Sequence, residues 1–395
     1  MNILHSIRSL DPRLGGPVEV LRQTAIAHAH LGHVSEVACL DAPEDAWIAE
    51  QPFAVHALGP GKGTYGFAPA FEPWLAEHHA RFDMVVVHGL WQYHGLATWR
   101  ELSNTGTPYV VFPHGMLDPW FKRSHPLKHV KKWLYWNWSE RKLLRDAAAV
   151  LFTTEEERLL ARTTFWRYRV REQVVGAGIA APPPDSDGCQ RASFLSRFPH
   201  LAGTRNVIFL GRIHPKKGCD LLVQAFATVA KGDPDLHLVM AGPDSDGWSD
   251  ELRRLASSLG VAERITWTGM LMDDCKWGAL RNAEVFALPS HQENFGIAVA
   301  EALACGVPVL ISQRVNIWRE VVEDGAGMAE DDTVEGTATL LRQWCAHDVP
   351  ARKRMGDAAT ECFGRRFSID PTSQRLAELF ETINHRTENA VGVSA

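Results

Sequence analysis

Two glutamates with seven residues between them, Glu293 and Glu301, are the first residues of this 395-residue chain whose spacing suggests chemistry. In HQENFGIAVAEALACGVPVLIS (291–312), everything from Ile297 to Ser312 is apolar or small except Glu301. An unpaired buried carboxylate is costly, so Glu301 needs donors. Sugar hydroxyls would satisfy its acceptor-only oxygens; a core arginine or a backbone N–H is the structural alternative. Glu293, Asn294, Phe295, Gly296 and Ile297 stand where the helix should begin. Free N–H groups there, with room left by Gly296, favour an anion. A second set lies in FLGRIHPKKGCDLL, where Arg212 ends a strand and Lys217 precedes Gly218 and a helix. Two cations at a strand mouth beside a helix N-terminus suit a diphosphate; solvated surface charge is the plainer reading. In SLDPRLGGPVEVL, Gly15 and Gly16 precede a helix that Pro17 can start, and would let backbone approach a phosphate or sugar. A simple glycine loop is the alternative. His114, in VFPHGML, is the remaining candidate, with a satisfied loop histidine as its bland reading.

These residues need strands and helices to hold them. Apolar runs at Asn2–Ile7, Val34–Leu40, Met84–His88, Tyr109–Pro113, Val150–Thr154 and Glu172–Val175 read as strands in the first half. Asn206–Gly211, His237–Ala241, Ile265–Thr268, Val285–Pro289 and Val307–Ser312 do so in the second. Helical stretches such as Pro17–Leu31, Leu127–Ala147, Cys219–Lys231 and Phe295–Cys305 alternate with them. Alternation of this kind predicts α/β architecture with parallel, doubly wound sheets. Such sheets bind ligands beyond the carboxyl ends of their strands, where the candidates lie. Pro182–Pro184 interrupts the pattern and predicts a linker.

Composition bounds the function classes. The length calls for two domains, and a net charge of −6 gives no reason to expect nucleic acid. Seven scattered cysteines without a C-x-x-C pair argue for reduced thiols in the cytosol and against a zinc site. No apolar run reaches the ~20 residues that span a bilayer, and MNILHSI enters a strand with no signal-peptide pattern. From Trp120 to Arg145, Lys122, Arg123, Lys128, Lys131, Lys132, Arg141, Lys142 and Arg145 are opposed only by Glu140. Trp120, Phe121, Trp133, Tyr135, Trp136 and Trp138 are interleaved with them, a pattern suited to an anionic membrane surface or to an acceptor pocket.

From LGGP through GRIHPKKG to ENFGIAVAE, the chain resembles the family 4 glycosyltransferases of the GT-B fold. The resemblance implies two Rossmann-like domains facing across a cleft. It implies an N-terminal acceptor-binding domain (1–177), a linker (178–205) and a C-terminal nucleotide-sugar-binding domain (206–365). A C-terminal helix (366–385) returning to the first domain and a flexible tail (386–395) would follow. By resemblance, Arg212 and Lys217 hold the donor diphosphate, and Glu301 accepts from the ribose hydroxyls. Glu293 faces the transferred sugar, Asn294 and the backbone at Phe295–Ile297 lie against sugar or phosphate, and Gly15 and Gly16 approach the donor. His114 lies near the reacting carbon. The implied activity is retaining hexosyl transfer from a UDP- or GDP-linked sugar to a glycan or polyprenyl-diphosphate-linked acceptor, without cofactor or metal. The Asn-Gly-Ile/Val-Asp of many members is replaced by Gly176-Ala177-Gly178-Ile179, which removes any contact from that Asn and Asp. HGLWQYHGLATW and the aromatic-basic stretch resemble bacterial enzymes of exopolysaccharide and lipopolysaccharide assembly. A cytoplasmic protein, peripheral on the inner membrane face, is the expectation. A nucleotide-sugar epimerase or hydrolase on the same fold, or a non-catalytic binding protein, remains the alternative.

Overall fold

Buried apolar strands joined by crossover helices can pair only in parallel, and both sheets of this chain are parallel throughout. A computed structural model describes residues 1–392 apart from 121, 123–125 and 245–246; the side chains of 126–128 and 388–392 lie outside the description, as do residues 393–395. Phe121, Arg123 and the Lys128 side chain are therefore outside the described residues. The chain divides into two compact units, Met1–Ala180 with Ile369–Ala395, and Ala181–Ser368.

The first unit holds β1 (Asn2–Ile7), β2 (Val34–Cys39), β3 (Ala54–Ala57), β4 (Met84–His88), β5 (Tyr109–Phe112), β6 (Ala149–Phe152) and β7 (Glu172–Val174). Their order is β3-β2-β1-β4-β5-β6-β7, so the direction of winding reverses between β1 and β4. The second holds β8 (Arg205–Leu210), β9 (Leu236–Ala241), β10 (Ile265–Gly269), β11 (Val285–Leu288), β12 (Val309–Ser312) and β13 (Gly327–Glu330). Their order β10-β9-β8-β11-β12-β13 reverses between β8 and β11. Both are Rossmann-like, doubly wound α/β sheets, and ligands of such sheets bind outside the strand ends at the reversal.

Several expectations are corrected. The edge strands β3 and β13 escaped the sequence reading because their residues are only partly buried and carry no continuous apolar run. The stretch expected as linker contains the helix Cys189–Arg197, whose Phe194 is buried and whose Gln190 backbone meets Gly278 of the helix Asp273–Asn282. Ordinary helix packing therefore makes 189–197 part of the second unit. The last helix runs Ile369–Gly392, so it continues beyond the expected end at 385. Its Leu376, Phe380 and Ile383 fill the first unit's core against Ile3, Val86, Phe112 and Leu151. The stretch Leu127–Ala147 is not one uniform helix: a π-helical segment Trp136–Glu140 separates Pro126–Tyr135 from Arg141–Asp146. Among the described residues no helix is long and apolar enough to cross a membrane.

Candidate active site

In the second unit, β8 delivers the first cation. Arg212 follows Gly211 at the strand's carboxyl end, is exposed, and meets no ion-pair partner among the described residues. A 3-10 turn, Pro215–Lys217, then carries Lys217 to the start of the helix Cys219–Val229. The His214 side chain accepts from the Lys216 N–H at 3.0 Å and closes this turn. Gly218 is required at its end: its φ is +66°, and a Cβ there would come within 2.1 Å of the Pro289 carbonyl oxygen. That close approach brings the turn against the loop after β11. The His291 N–H donates to the Lys216 carbonyl at 2.8 Å, and the Lys217 ammonium pairs with Glu293.

Glu293 is also fixed through its backbone, which donates to the Arg314 carbonyl at 2.9 Å and accepts from the Asn316 N–H at 3.0 Å. Burial pushes its carboxyl pKa up, but Lys217, Lys216 and the Asn294 N–H outweigh burial and hold it below the usual carboxylate range. The helix begins at Ile297, two residues later than expected, after Gly296 at φ +79°. A Cβ on Gly296 would crowd Val299, Glu293 and Val315, so this turn holds Glu293 close to the helix start. Phe295 is buried with its ring edge toward Phe367, and the Asn294 side chain lies 3.4 Å from Asn316. Their side chains thus pack within the unit, leaving backbone at 295–297 as the expected ligand contact.

Glu301 has a partner that the sequence reading missed. Lys276, on the helix Asp273–Asn282, donates to its Oε1 at 2.8 Å and lies over the Trp277 ring. Twenty-five residues separate the pair, so no local spacing rule could have found it.

In the first unit, Gly15 is exposed at φ +80° between a short 3-10 turn and the helix Gly16–His30. His114 follows β5, is partly buried, and has a left-handed φ of 50°. Its loop is clasped by Glu157, which accepts from the Gly115 N–H at 2.6 Å and from the Thr153 N–H at 2.8 Å. His114 ends a line of three imidazoles. Its Nε2 is 3.0 Å from His88 Nδ1, and His88 Nε2 is 2.9 Å from His5 Nδ1. Burial lowers the pKa of His114 to about 4. Burial, with the nearby His28, lowers that of His5 to about 3. Burial and the neighbouring histidines push His88 well below its ordinary value. All three are neutral at pH 7. His5 Nε2 is buried without a partner, and an orphaned lone pair is cheaper than an orphaned N–H. The proton of His5 therefore sits on Nδ1 and donates to His88. His88 donates through Nδ1 to His114, which keeps its own proton on Nδ1.

Among the described residues one group has ligand atoms close enough to share a metal: Asp185, Asp187 and Cys189, within 4.8 Å. No candidate site residue belongs to it.

The two units also match known proteins. Residues 195–361 match the family described as glycosyl transferases group 1, and residues 15–178 match the glycosyl transferase 4-like domain. The chain is 34% identical over 213 residues to the D-inositol 3-phosphate glycosyltransferase of Thermomonospora curvata, covering 50% of this chain and 47% of that one. With the protein of the same name from Mycolicibacterium gilvum it shares 30% over 263 residues, 65% of this chain and 57% of that one. It thus spans about half the length of these relatives. Among solved structures, sucrose-phosphate synthase from Thermosynechococcus elongatus superposes with a TM-score of 0.79 at 19% identity, covering 97% of this chain and 99% of that one. Anabaena HepE in complex with UDP and glucose gives 0.75 at 18% identity, covering 97% and 100%. These likenesses establish the GT-B fold. The first unit thus matches a glycosyl transferase 4-like domain, and the second a group 1 glycosyl transferase domain.

Proposed function

We propose that this protein transfers a hexosyl unit from a nucleotide-diphosphate sugar to a glycan or polyprenyl-diphosphate-linked acceptor, with retention at the anomeric carbon and without a metal. The observation that carries this reading is the Lys217–Glu293 pair set by Gly218 and Gly296, with Arg212 at the same strand mouth. A diphosphate has the charge to draw Lys217 from Glu293, leaving that carboxylate to accept from a hydroxyl of the transferred sugar. Arg212 and Lys217 then stabilise the charge that grows as the anomeric C–O bond breaks and its electron pair leaves with the diphosphate. The acceptor hydroxyl bonds the same face of the carbon while its proton passes to the departing oxygen. No carboxylate stands out as a nucleophile, which favours this single front-face step over a covalent intermediate. Glu301 binds the ribose hydroxyls, and His114 Nδ1–H donates near the reacting carbon.

UDP is the first nucleotide to test, because HepE was crystallised with UDP and glucose. The relatives' names make inositol phosphate an acceptor to compare with neutral glycans. Thermal unfolding with UDP, GDP, ADP and their sugars is expected to rise selectively for one base. Alanine at Arg212 or Lys217 is expected to lower kcat as well as affinity, since both cations bind the leaving group more strongly as charge develops. Turnover is expected to survive EDTA; a strict requirement for added divalent ion would overturn the metal-free step.

A further inference from the structure

Beyond the carboxyl ends of β1 and β2, one strand to the side of the β1/β4 reversal, the first unit contains a cavity of about 230 Å³. Arg8, Ser9, Asp11, Asp41, Asp45 and Trp47 supply most of its lining. None of them takes part in the chemistry described above. Two of these residues carry buried donors without a partner, Arg8 Nε and Trp47 Nε1. A buried N–H with no acceptor is unfavourable, so a small turn of either side chain toward a ligand that offers one is favoured. Around them stand acceptors with capacity to spare. Asp41 takes the Ser9 hydroxyl at 2.5 Å and the Leu10 N–H at 2.8 Å, and Asp45 takes the Ala42 N–H at 2.9 Å. An ionised carboxylate offers about four lone-pair sites. Arg13 pairs with Asp11 at 2.7 Å and also lies near Asp45, so the three carboxylates Asp11, Asp41 and Asp45 face two guanidiniums, Arg8 and Arg13. The wall is therefore acceptor-rich, with negative charge in excess.

We propose that this cavity binds one uncharged sugar unit of the glycosyl acceptor and disfavours a phosphorylated or carboxylated one. The assignment to an acceptor rests on the glycosyl-transfer reading above. A volume of about 230 Å³ holds roughly seven or eight waters at ~30 Å³ each, which suits a single pyranose ring and not a nucleotide. A pyranose brings hydroxyls that donate to Asp41 and Asp45 and accept from Arg8 and Trp47, with no charge to oppose the aspartates. A phosphate would meet more carboxylates than free cations.

The test titrates the full chain, with and without UDP, with a panel of methyl hexopyranosides and with inositol phosphate, followed by saturation-transfer NMR. Trp47→Phe keeps the ring and deletes the N–H; Arg8→Met keeps the stem and deletes the donors. At least one neutral glycoside is expected to bind, and each variant to weaken it about five- to tenfold, the scale of one hydrogen bond. The thermal shift with UDP should be unchanged in both, and unchanged hydrogen exchange across β1, β2 and β4 reports that the first unit folds. Absence of glycoside binding, equal binding by the variants, or inositol phosphate binding that the variants weaken would each overturn the proposal. Absence of a shift in the wild type with UDP, GDP, ADP and their sugars would instead count against glycosyl transfer, leaving the sugar titration as a separate result.

Discussion

Glu301 shows what a single residue can and cannot reveal. Its isolation in an apolar run announced a carboxylate in need of a partner, yet Glu301 is only partly buried and the partner, Lys276, comes from another helix. Replacing Glu301 with alanine is expected to weaken nucleotide binding by ~1–3 kcal/mol, measured by titration. Lys276→Met, which leaves the carboxylate, should lower stability without lowering that affinity. Equal affinity in wild type and Glu301→Ala would remove the ribose role. Glu140 is a sharper surprise. Among basic neighbours in sequence it reads as a surface counter-charge, but it is fully buried and accepts the Trp91 N–H at 2.8 Å. Burial pushes its pKa up to about 8, against smaller opposing effects of that N–H and Lys132. The folded state therefore keeps a proton that the unfolded chain releases near 4.5. The associated stability is full below that pH and is lost as pH rises through about 8. Glu140→Gln is expected to unfold in more urea than wild type at pH 9, by on the order of 3–5 kcal/mol, with the gap closing toward pH 5. A gap that does not change with pH would show Glu140 ionised in the fold.

At the scale of elements, strand-to-helix turns were the most legible features, because glycine, cation and helix start lie within a few residues of one another. The turn holding Arg212, Lys217 and Gly218 forms as its spacing suggested. The three-histidine line was illegible, since His5, His88 and His114 belong to separate strands or their loops and meet only through sheet order. The aromatic-basic stretch was half legible. Trp136 is core, whereas Val130, Trp133, Leu134 and Trp138 are exposed at 58%, 43%, 62% and 53%. Val130, Leu134 and Trp138 recur every four residues and form an apolar stripe beside Lys131. A stripe of this kind fits an anionic bilayer surface, with the aromatic at the boundary and lysines at the headgroups. Wild type is expected to sediment with anionic liposomes at low salt, and Leu134→Glu/Trp138→Glu to stay in the supernatant while still binding nucleotide. Equal recovery of the two proteins in the supernatant would favour a soluble acceptor.

At the scale of the whole molecule, sequence alternation disclosed two parallel sheets, but not that the first is finished by the last helix. Leu376, Phe380 and Ile383 are ordinary amphipathic residues until β1, β4 and β5 receive them. Phe380 also meets the His28 ring edge-on at 6.0 Å. Truncation after Ser368 is expected to strip this core, so that hydrogen exchange accelerates across β1, β4 and β5 while β8, β9 and β11 keep their protection. Uniform loss of protection in both sheets would show that the units unfold as one. The same helix has a consequence for biosynthesis. Because chains emerge from the ribosome N-terminus first, 369–383 appear after every residue of the second unit has been made. The second unit can therefore mature during translation, whereas the opening 180 residues wait, with an apolar sheet face uncovered, for a segment made only after the second unit. A pause or premature stop late in the message would leave a nascent protein whose second unit is sound and whose first is a ready client for chaperones.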